Sequence, residues 1–192
     1  MPDIVYRFLL FALIHSLLAM ERAKEFLCRN RPARTRCYRL AYNLLALGSF
    51  AWVLAALAGS PVLYTLSGYQ GGTLRAVQGC ALILLCRCAA QTGPGEFLGI
   101  RQLLTTAEQP PFLTRKGCYG HVRHPQYTLA VIMLLAAPTM NVNYLLFTSL
   151  AILYFILGAL VEESRLCRLF GEEYRRYRRE IPMFLPTPLK KR

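Results

Sequence analysis

Charge is scarce in this sequence, and acid is scarcer still. Charged residues make up 17% of its 192 positions, with 10 Asp and Glu against 23 Lys and Arg. Soluble domains carry about 25% charged residues, so a chain that is 55% hydrophobic falls outside that class. No internal repeat and no low-complexity stretch is present, which excludes a repeat array. No two cysteines have the C-x-x-C spacing of a zinc site, and Cys86 and Cys88 would not share a helical face. Seven cysteines is an odd number, and Cys28, Cys37, Cys118 and Cys167 fall in basic segments assigned below to the cytosol. Unpaired thiols are therefore expected, with no disulfide framework and no metal centre. The first apolar run lacks a small-residue cleavage site, since Met20, Glu21 and Arg22 follow it directly. It is expected to be a retained helix, not a signal peptide.

What is present is a series of apolar runs long enough to cross a bilayer: Ile4 to Met20, Leu40 to Ala58, Leu74 to Gln91, Tyr127 to Ala137 and Tyr144 to Val161. Pro138 and Asn141-Val142-Asn143 separate the last two into a helical hairpin. The chain length fits one domain, here 1–192, with a membrane-anchor half over 1–92 and a chemically loaded half over 93–192. The net charge of +13 would suit nucleic acid if it formed a patch on a soluble domain. It is instead distributed between the apolar runs, where it fixes orientation and attracts anionic head groups. Membrane lipids are thus expected partners, and nucleic acid is not. Seven Lys and Arg lie in Arg22 to Arg39, four in Arg101 to Arg123 and nine in Arg165 to Arg192, with none in Gly59 to Thr73 or Pro138 to Asn143. Five spans make this alternation self-consistent, with the basic segments in the cytosol. The predicted fold is all-α: an integral membrane bundle of about five transmembrane helices with a cytosolic C-terminal amphipathic helix. That last helix is read from Leu166, Phe170, Tyr174 and Tyr177, which form one stripe across Glu162 to Arg179.

Reactive side chains are densest in Gly117-Cys118-Tyr119-Gly120-His121-Val122-Arg123-His124-Pro125-Gln126-Tyr127, where the cytosolic segment meets the fourth helix. A helix start offers unpaired backbone N–H groups, and Pro125 suits a first turn because it has none to lose. Such a start can hold a carboxylate or phosphate, with Arg123 and His124 adding donors. The same pattern arises if Arg123 merely snorkels to head groups and His124 caps the helix. Glu162-Glu163, read as the cytosolic end of the last span, is disfavoured there by the helix dipole and suggests a bound cation or an arginine partner. An exposed acidic pair balanced by Arg165 and Arg168 is the plain alternative. His15 is a polar point in the first apolar run, and reads as a packed helix contact, a proton acceptor or a haem ligand. Donors at one helix start and carboxylates at another helix suit a zwitterion. S-adenosyl-L-methionine is one.

The set Gly117, Tyr119, Arg123-His124-Pro125, Tyr127, Glu162-Glu163, Phe170-Gly171-Glu172-Glu173-Tyr174, Tyr177 and Pro182 resembles the signature of the isoprenylcysteine carboxyl methyltransferase and phospholipid methyltransferase superfamily. His15-Ser16-Leu17-Leu18-Ala19, Tyr38-Arg39-Leu40-Ala41-Tyr42-Asn43 and Phe97-Leu98-Gly99-Ile100-Arg101-Gln102 are similar to its branch of methanethiol S-methyltransferases and NnrU-type membrane proteins. The resemblance implies S-adenosyl-L-methionine as methyl donor, lined by Pro111, Phe112, Leu113, Thr114, Tyr119, His124, Pro125, Gln126 and Tyr127, with Glu162 as the acidic contact. Arg123, Glu163 and His15 are the candidate catalytic residues, with Arg123 or His15 expected to orient the acceptor. Where isoprenylcysteine enzymes carry a substrate-contacting arginine, four residues before that glutamate, this chain has Gly158. The expected activity is methyl transfer at a cytosol-facing membrane site to a lipophilic small molecule or lipid-modified substrate, either a thiol or an isoprenylcysteine-type carboxylate. A phospholipid amine N-methyltransferase and a non-enzymatic haem-binding protein, with His15 and His124 as axial ligands, are the alternatives.

Overall fold

The computed structural model describes residues 2–29, 32–93 and 112–186. Seven α-helices, one 3-10 turn and two short strands lie among them. Helix α1 (Pro2–Ala19) and α2 (Glu21–Cys28) meet at a 71° bend. Met20 causes it by leaving the helical region (φ −73°, ψ 136°) just where the charged Glu21 and Arg22 begin. Then come α3 (Pro32–Leu54), β1 (Val62–Thr65), α4 (Gly68–Ala90), the 3-10 turn Gly117–Gly120, α5 (Pro125–Leu135), β2 (Thr139–Asn141), α6 (Val142–Phe170) and α7 (Glu172–Glu180).

A helix stands on each of the five apolar runs, but they do not all have the reach of a span. Among the described residues α4 and α6 are long and apolar enough to cross a membrane, and the bent α1–α2 pair adds a third if it counts as one span. At 1.5 Å per residue, the 23 residues of α4 cover about 34 Å, enough for a hydrocarbon layer of about 30 Å. Basic residues Arg34, Arg36 and Arg39 occupy the first turns of α3. Ala136 and Pro138 stop α5 after 11 residues, roughly 16 Å. The α6 face bearing Leu153, Ile156, Leu157 and Leu160 is exposed, as lipid contact requires and water would penalise. The protein is a membrane protein with two or three candidate spans.

Three sequence expectations are corrected. The chain is not purely helical, because β1 and β2 pair in a small sheet; β1 is built from Val62, Leu63, Tyr64 and Thr65, branched and aromatic residues that suit a pleated surface. The last long helix does not end at Glu162-Glu163 but continues to Phe170, so the dipole argument for that acidic pair does not apply. Gly171, at φ 56°, then breaks the chain and starts α7 afresh. The third correction concerns the cysteines: Cys88 and Cys118 form a disulfide.

Contacts divide the described chain into two compact units, one comprising 2–64, 93 and 140–150, the other 65–92, 112–139 and 151–186. In the first, Phe8, Phe11, Phe50 and Phe147 form a chain of ring contacts with centroids 5.5 to 6.1 Å apart, beside the buried Ile4 and Val53. Asn141 and Asn143 donate side-chain amides to the carbonyls of Leu57 and Ala56, tying down the chain after α3. In the second unit Gln78 of α4 donates to the Met133 carbonyl of α5. The disulfide fastens the C-terminal end of α4 to the 3-10 turn.

Candidate functional site

The second unit contains the Arg123 to Tyr127 run, the acidic pair of α6 and the C-terminal tail. Pro125 is the first residue of α5, and His124 precedes it with dihedrals outside both the helical and the extended regions (φ −123°, ψ 62°). Its side chain is 4% exposed. The ring stacks on Tyr127 (centroids 5.5 Å, planes 4° apart) and leans on Phe184 at 5.8 Å; Tyr127 in turn stacks on Phe155 at 5.3 Å. The aromatic column fixes the imidazole between two carboxylates. His124 Nδ1 lies 3.6 Å from Glu162 Oε2, and Nε2 lies 3.4 Å from Glu163 Oε1.

Neighbouring helical residues point about 100° apart, and the two glutamates have different surroundings. The Glu162 carboxylate is 38% exposed and accepts from the Tyr127 hydroxyl at 3.2 Å. Glu163 is buried. One of its oxygens takes Arg123 Nε at 2.7 Å and Nη2 at 2.6 Å, and the other takes Arg178 Nε at 3.2 Å. Arg123 Nη1 donates further to the carbonyls of Arg178 and Ile181 at the end of α7. The arginine partner inferred for the acidic pair is therefore Arg123, and it engages Glu163.

The start of α5 is less open than its sequence suggests. The Arg123 and His124 backbone N–H groups donate to the carbonyls of Pro182 and Met183, at 2.9 and 3.1 Å, and Thr128 Oγ1 donates to Phe184 O at 2.9 Å. The tail has taken the donors assigned to an anion, leaving the N–H groups of Gln126 and Tyr127 for the first turn.

Upstream, the disulfide brings the 3-10 turn against Gln91, whose side-chain oxygen accepts from the Cys118 N–H at 3.2 Å. The φ of Gly117, +62°, favours glycine, and a Cβ there would fall 2.6 Å from the end of the Gln91 side chain, which would have to swing aside. Tyr119 hydrogen-bonds Thr92, and burial, assisted by the Glu162 charge, pushes its hydroxyl up to about 12. Its carbonyl accepts from the Tyr177 hydroxyl at 2.6 Å; burial pushes that hydroxyl up to about 12 as well, so it stays a donor at any physiological pH. Tyr174 is buried without a hydrogen-bond partner for its hydroxyl, which burial and the Glu163 charge raise above the usual range.

The expected site residues thus fall into three groups. Tyr119, His124, Pro125, Tyr127, Glu162, Glu163 and Arg123 come together, with Gln126 on the same first turn. Leu113 and Thr114 lie on the segment leading to the 3-10 turn, where Thr114 Oγ1 reaches the Gln91 carbonyl at 3.5 Å, and Phe112 is exposed; Pro111 and the Phe97 to Gln102 motif lie outside the described residues. His15 belongs to the other unit, where it bonds Tyr42 (2.9 Å) and packs against Phe11. Sequence reasoning missed Gln91, Thr92, Phe155 and the carbonyls of 181–184 as parts of the site. Pro182 in the signature was the one pointer to the tail.

No protein-family profile and no solved structure matches the chain. Curated relatives do. Methanethiol S-methyltransferase 1 of Bradyrhizobium diazoefficiens is 29% identical over 184 residues, covering 92% of this chain and 64% of the relative. The methanethiol S-methyltransferase of Pseudomonas sp. (strain GM41(2012)) is 30% identical over 184 residues, 92% of this chain and 70% of the relative. That of Crocosphaera subtropica is 26% identical over 192 residues, 92% and 71%. The chain spans about two thirds of the length of these curated relatives, between 64% and 71%. Apolar spans and relatives that are all methyltransferases by name define the class, that of membrane methyltransferases. Within it, the chain belongs to the methanethiol S-methyltransferase family.

Proposed function

We propose that the protein transfers a methyl group from S-adenosyl-L-methionine to a small, membrane-soluble thiol, at a site formed by Glu162, Tyr127, His124 and Tyr119. The observation that carries this reading is the half-open carboxylate of Glu162. It is oriented by Tyr127, flanked by a buried imidazole, and keeps a free side on which to meet a cation. The chemistry of these groups fits the donor: an acid for its cationic end, and the free N–H groups of the first α5 turn for the rest. When bound, the donor supplies an electrophilic methyl on a sulfonium, which the thiol sulfur takes with loss of its proton. Positive charge vanishes in that displacement, so the residues serve mainly to align the partners and exclude water. Glu162 holds the cationic end, Tyr127 and His124 set the Glu162 rotamer, and Tyr119, Leu113 and Thr114 wall the approach. The basic loops favour a cytosolic side for this end of α6, where a polar donor would arrive from water and an apolar acceptor from lipid.

Kinship with methanethiol enzymes favours a thiol over a prenylcysteine carboxylate, and Gly158 points the same way. A Cβ there would lie 3.8 Å from the Tyr127 hydroxyl, so the glycine keeps the space beside Tyr127 free of any side chain or cation that a carboxylate would need. The test is to supply the purified full chain in lipid with methyl-labelled S-adenosyl-L-methionine and, separately, methanethiol, a long alkanethiol, a prenylated cysteine or phosphatidylethanolamine. Labelled thioether from methanethiol is the expected product. Label on the prenylcysteine carboxylate or the lipid amine instead would assign the acceptor to one of those classes, and no transfer to any of the four would refute the reading.

A further inference from the structure

The pair Arg123–Glu163 stands beside the proposed donor site, and its hydrogen-bond geometry leaves it little capacity to bind a ligand. Four consecutive carbonyls, those of Ile181, Pro182, Met183 and Phe184, receive donors from the start of α5: Arg123 Nη1, the Arg123 N–H, the His124 N–H and Thr128 Oγ1. The tail therefore lies across that start as a strap, and its Phe184 ring rests on the His124 imidazole. Glu163 is what locks Arg123 in place. A guanidinium has five N–H donors in a fixed fork; Nε and one Nη2 hydrogen go to Glu163, and Nη1 serves Arg178 O and Ile181 O. The Arg123 side chain is 10% exposed and that of Glu163 is 6%, so neither charge has water to fall back on.

We propose that Glu163 is a positioning residue: through Arg123 it clamps the strap Ile181–Phe184 onto the start of α5, and so sets the orientation of the His124 ring beside Glu162. The assignment rests on reading His124 and Glu162 as the donor site, and it separates two adjacent acids by role. Glu162 meets the ligand, whereas Glu163 does not touch it. Losing the Glu163 charge leaves Arg123 as a buried cation without its anion. The fork then turns toward the remaining partners, the strap shifts, and Phe184 no longer holds the imidazole.

The chain has three histidines, so histidine-selective ring labelling of the full-length protein in lipid discs gives a readable NMR spectrum in which His124→Asn assigns the His124 signal. In Glu163→Gln the His124 ring signals should move, and the KM for S-adenosyl-L-methionine should rise tenfold or more while kcat falls less than threefold. Arg123→Lys, which keeps the charge but loses the fork, should behave alike, and Glu163→Asp should recover part of the effect. Unmoved His124 signals in Glu163→Gln, or a fall in kcat alone with KM unchanged, would overturn the proposal. If Glu163→Gln does not fold, Phe184→Leu tests the link from its other end: it should move the same signals and raise the same KM, and an unchanged spectrum would be equally fatal. Should wild-type protein fail to bind the donor at all, the site reading falls, while the response of the His124 signals to Arg123→Lys still decides the strap, because Glu163 itself lies 3.4 Å from His124 Nε2.

Discussion

Replacing Glu162 by glutamine removes one charge and keeps the side-chain volume, which isolates the carboxylate's part in holding the donor's cationic end. A hydrogen bond to a charged group contributes roughly 1.5–3 kcal/mol. The Glu162 carboxylate is 38% exposed, so solvent screening places it in the lower half of that range, at about 1.5–2 kcal/mol. Donor affinity should then fall about ten- to thirtyfold, while the fold is retained because Tyr127 can still donate to the amide oxygen. Glu172→Gln is the control. Glu172 lies on the outer face of α7 and is held below the usual carboxylate range chiefly by its hydrogen bond from Arg179, away from the His124 cluster, and its loss should leave donor affinity unchanged. Isothermal titration with S-adenosyl-L-methionine and its demethylated product, in detergent and after thermal unfolding has shown both variants folded, reads the difference. Equal affinities in the two variants would refute Glu162 as the cation contact.

Three further outcomes follow from the packing. Reducing or removing the Cys88–Cys118 bond, which closes a loop of 30 residues, should cost about 3.5 kcal/mol on the chain-entropy model; thiol-labelling mass spectrometry checks the pairing, and thermal unfolding with and without reductant checks the cost. Gly117→Ala forces a Cβ into the left-handed region and onto the Gln91 amide, so it should destabilise by about 1–3 kcal/mol and lower the unfolding midpoint. Tyr177→Phe loses the bond to the Tyr119 carbonyl, about 1 kcal/mol. Because burial raises the Tyr177 hydroxyl above its ordinary value of 10 to about 12, the stability it contributes is fully present below pH 10 and is lost as the pH climbs through that window. Chemical denaturation from pH 8 to 12 should show the loss in wild type and a weaker one in the variant.

The sequence carried the outline of the site because its parts announce themselves locally. Arg123-His124-Pro125 marks a helix start through the fixed dihedral of proline, and two adjacent acids in an apolar run need partners wherever they lie. Helix existence was legible for the same reason, since apolar runs such as Ile4 to Met20, Leu74 to Gln91 and Tyr144 to Val161 leave few alternatives. Helix ends were not. Nothing in Leu160 to Phe170 stops α6 at Glu162, and only the positive φ of Gly171 shows where it breaks. The strap over 181–184 was invisible because it acts through backbone carbonyls, which have no side-chain signature. The Cys88–Cys118 pair was misjudged because counting cysteines by segment ignores that the end of α4 and the 3-10 turn are neighbours in space. Among the described residues the five-span count is not confirmed at α3 and α5, where basic residues and Pro138 shorten what hydrophobicity alone would extend.

The central claim is that a sulfur acceptor takes its methyl group at the Glu162 carboxylate, and headspace mass spectrometry tests it most directly. Full-length protein in lipid would be given methanethiol and S-adenosyl-L-methionine carrying a trideuterated methyl group, in parallel with Glu162→Gln. Wild type should release dimethyl sulfide three mass units heavier than the unlabelled thioether, at a rate at least tenfold above the variant when donor is limiting. Heavy thioether formed equally fast by both proteins, or none from wild type under conditions where donor binding is measurable, would contradict the account.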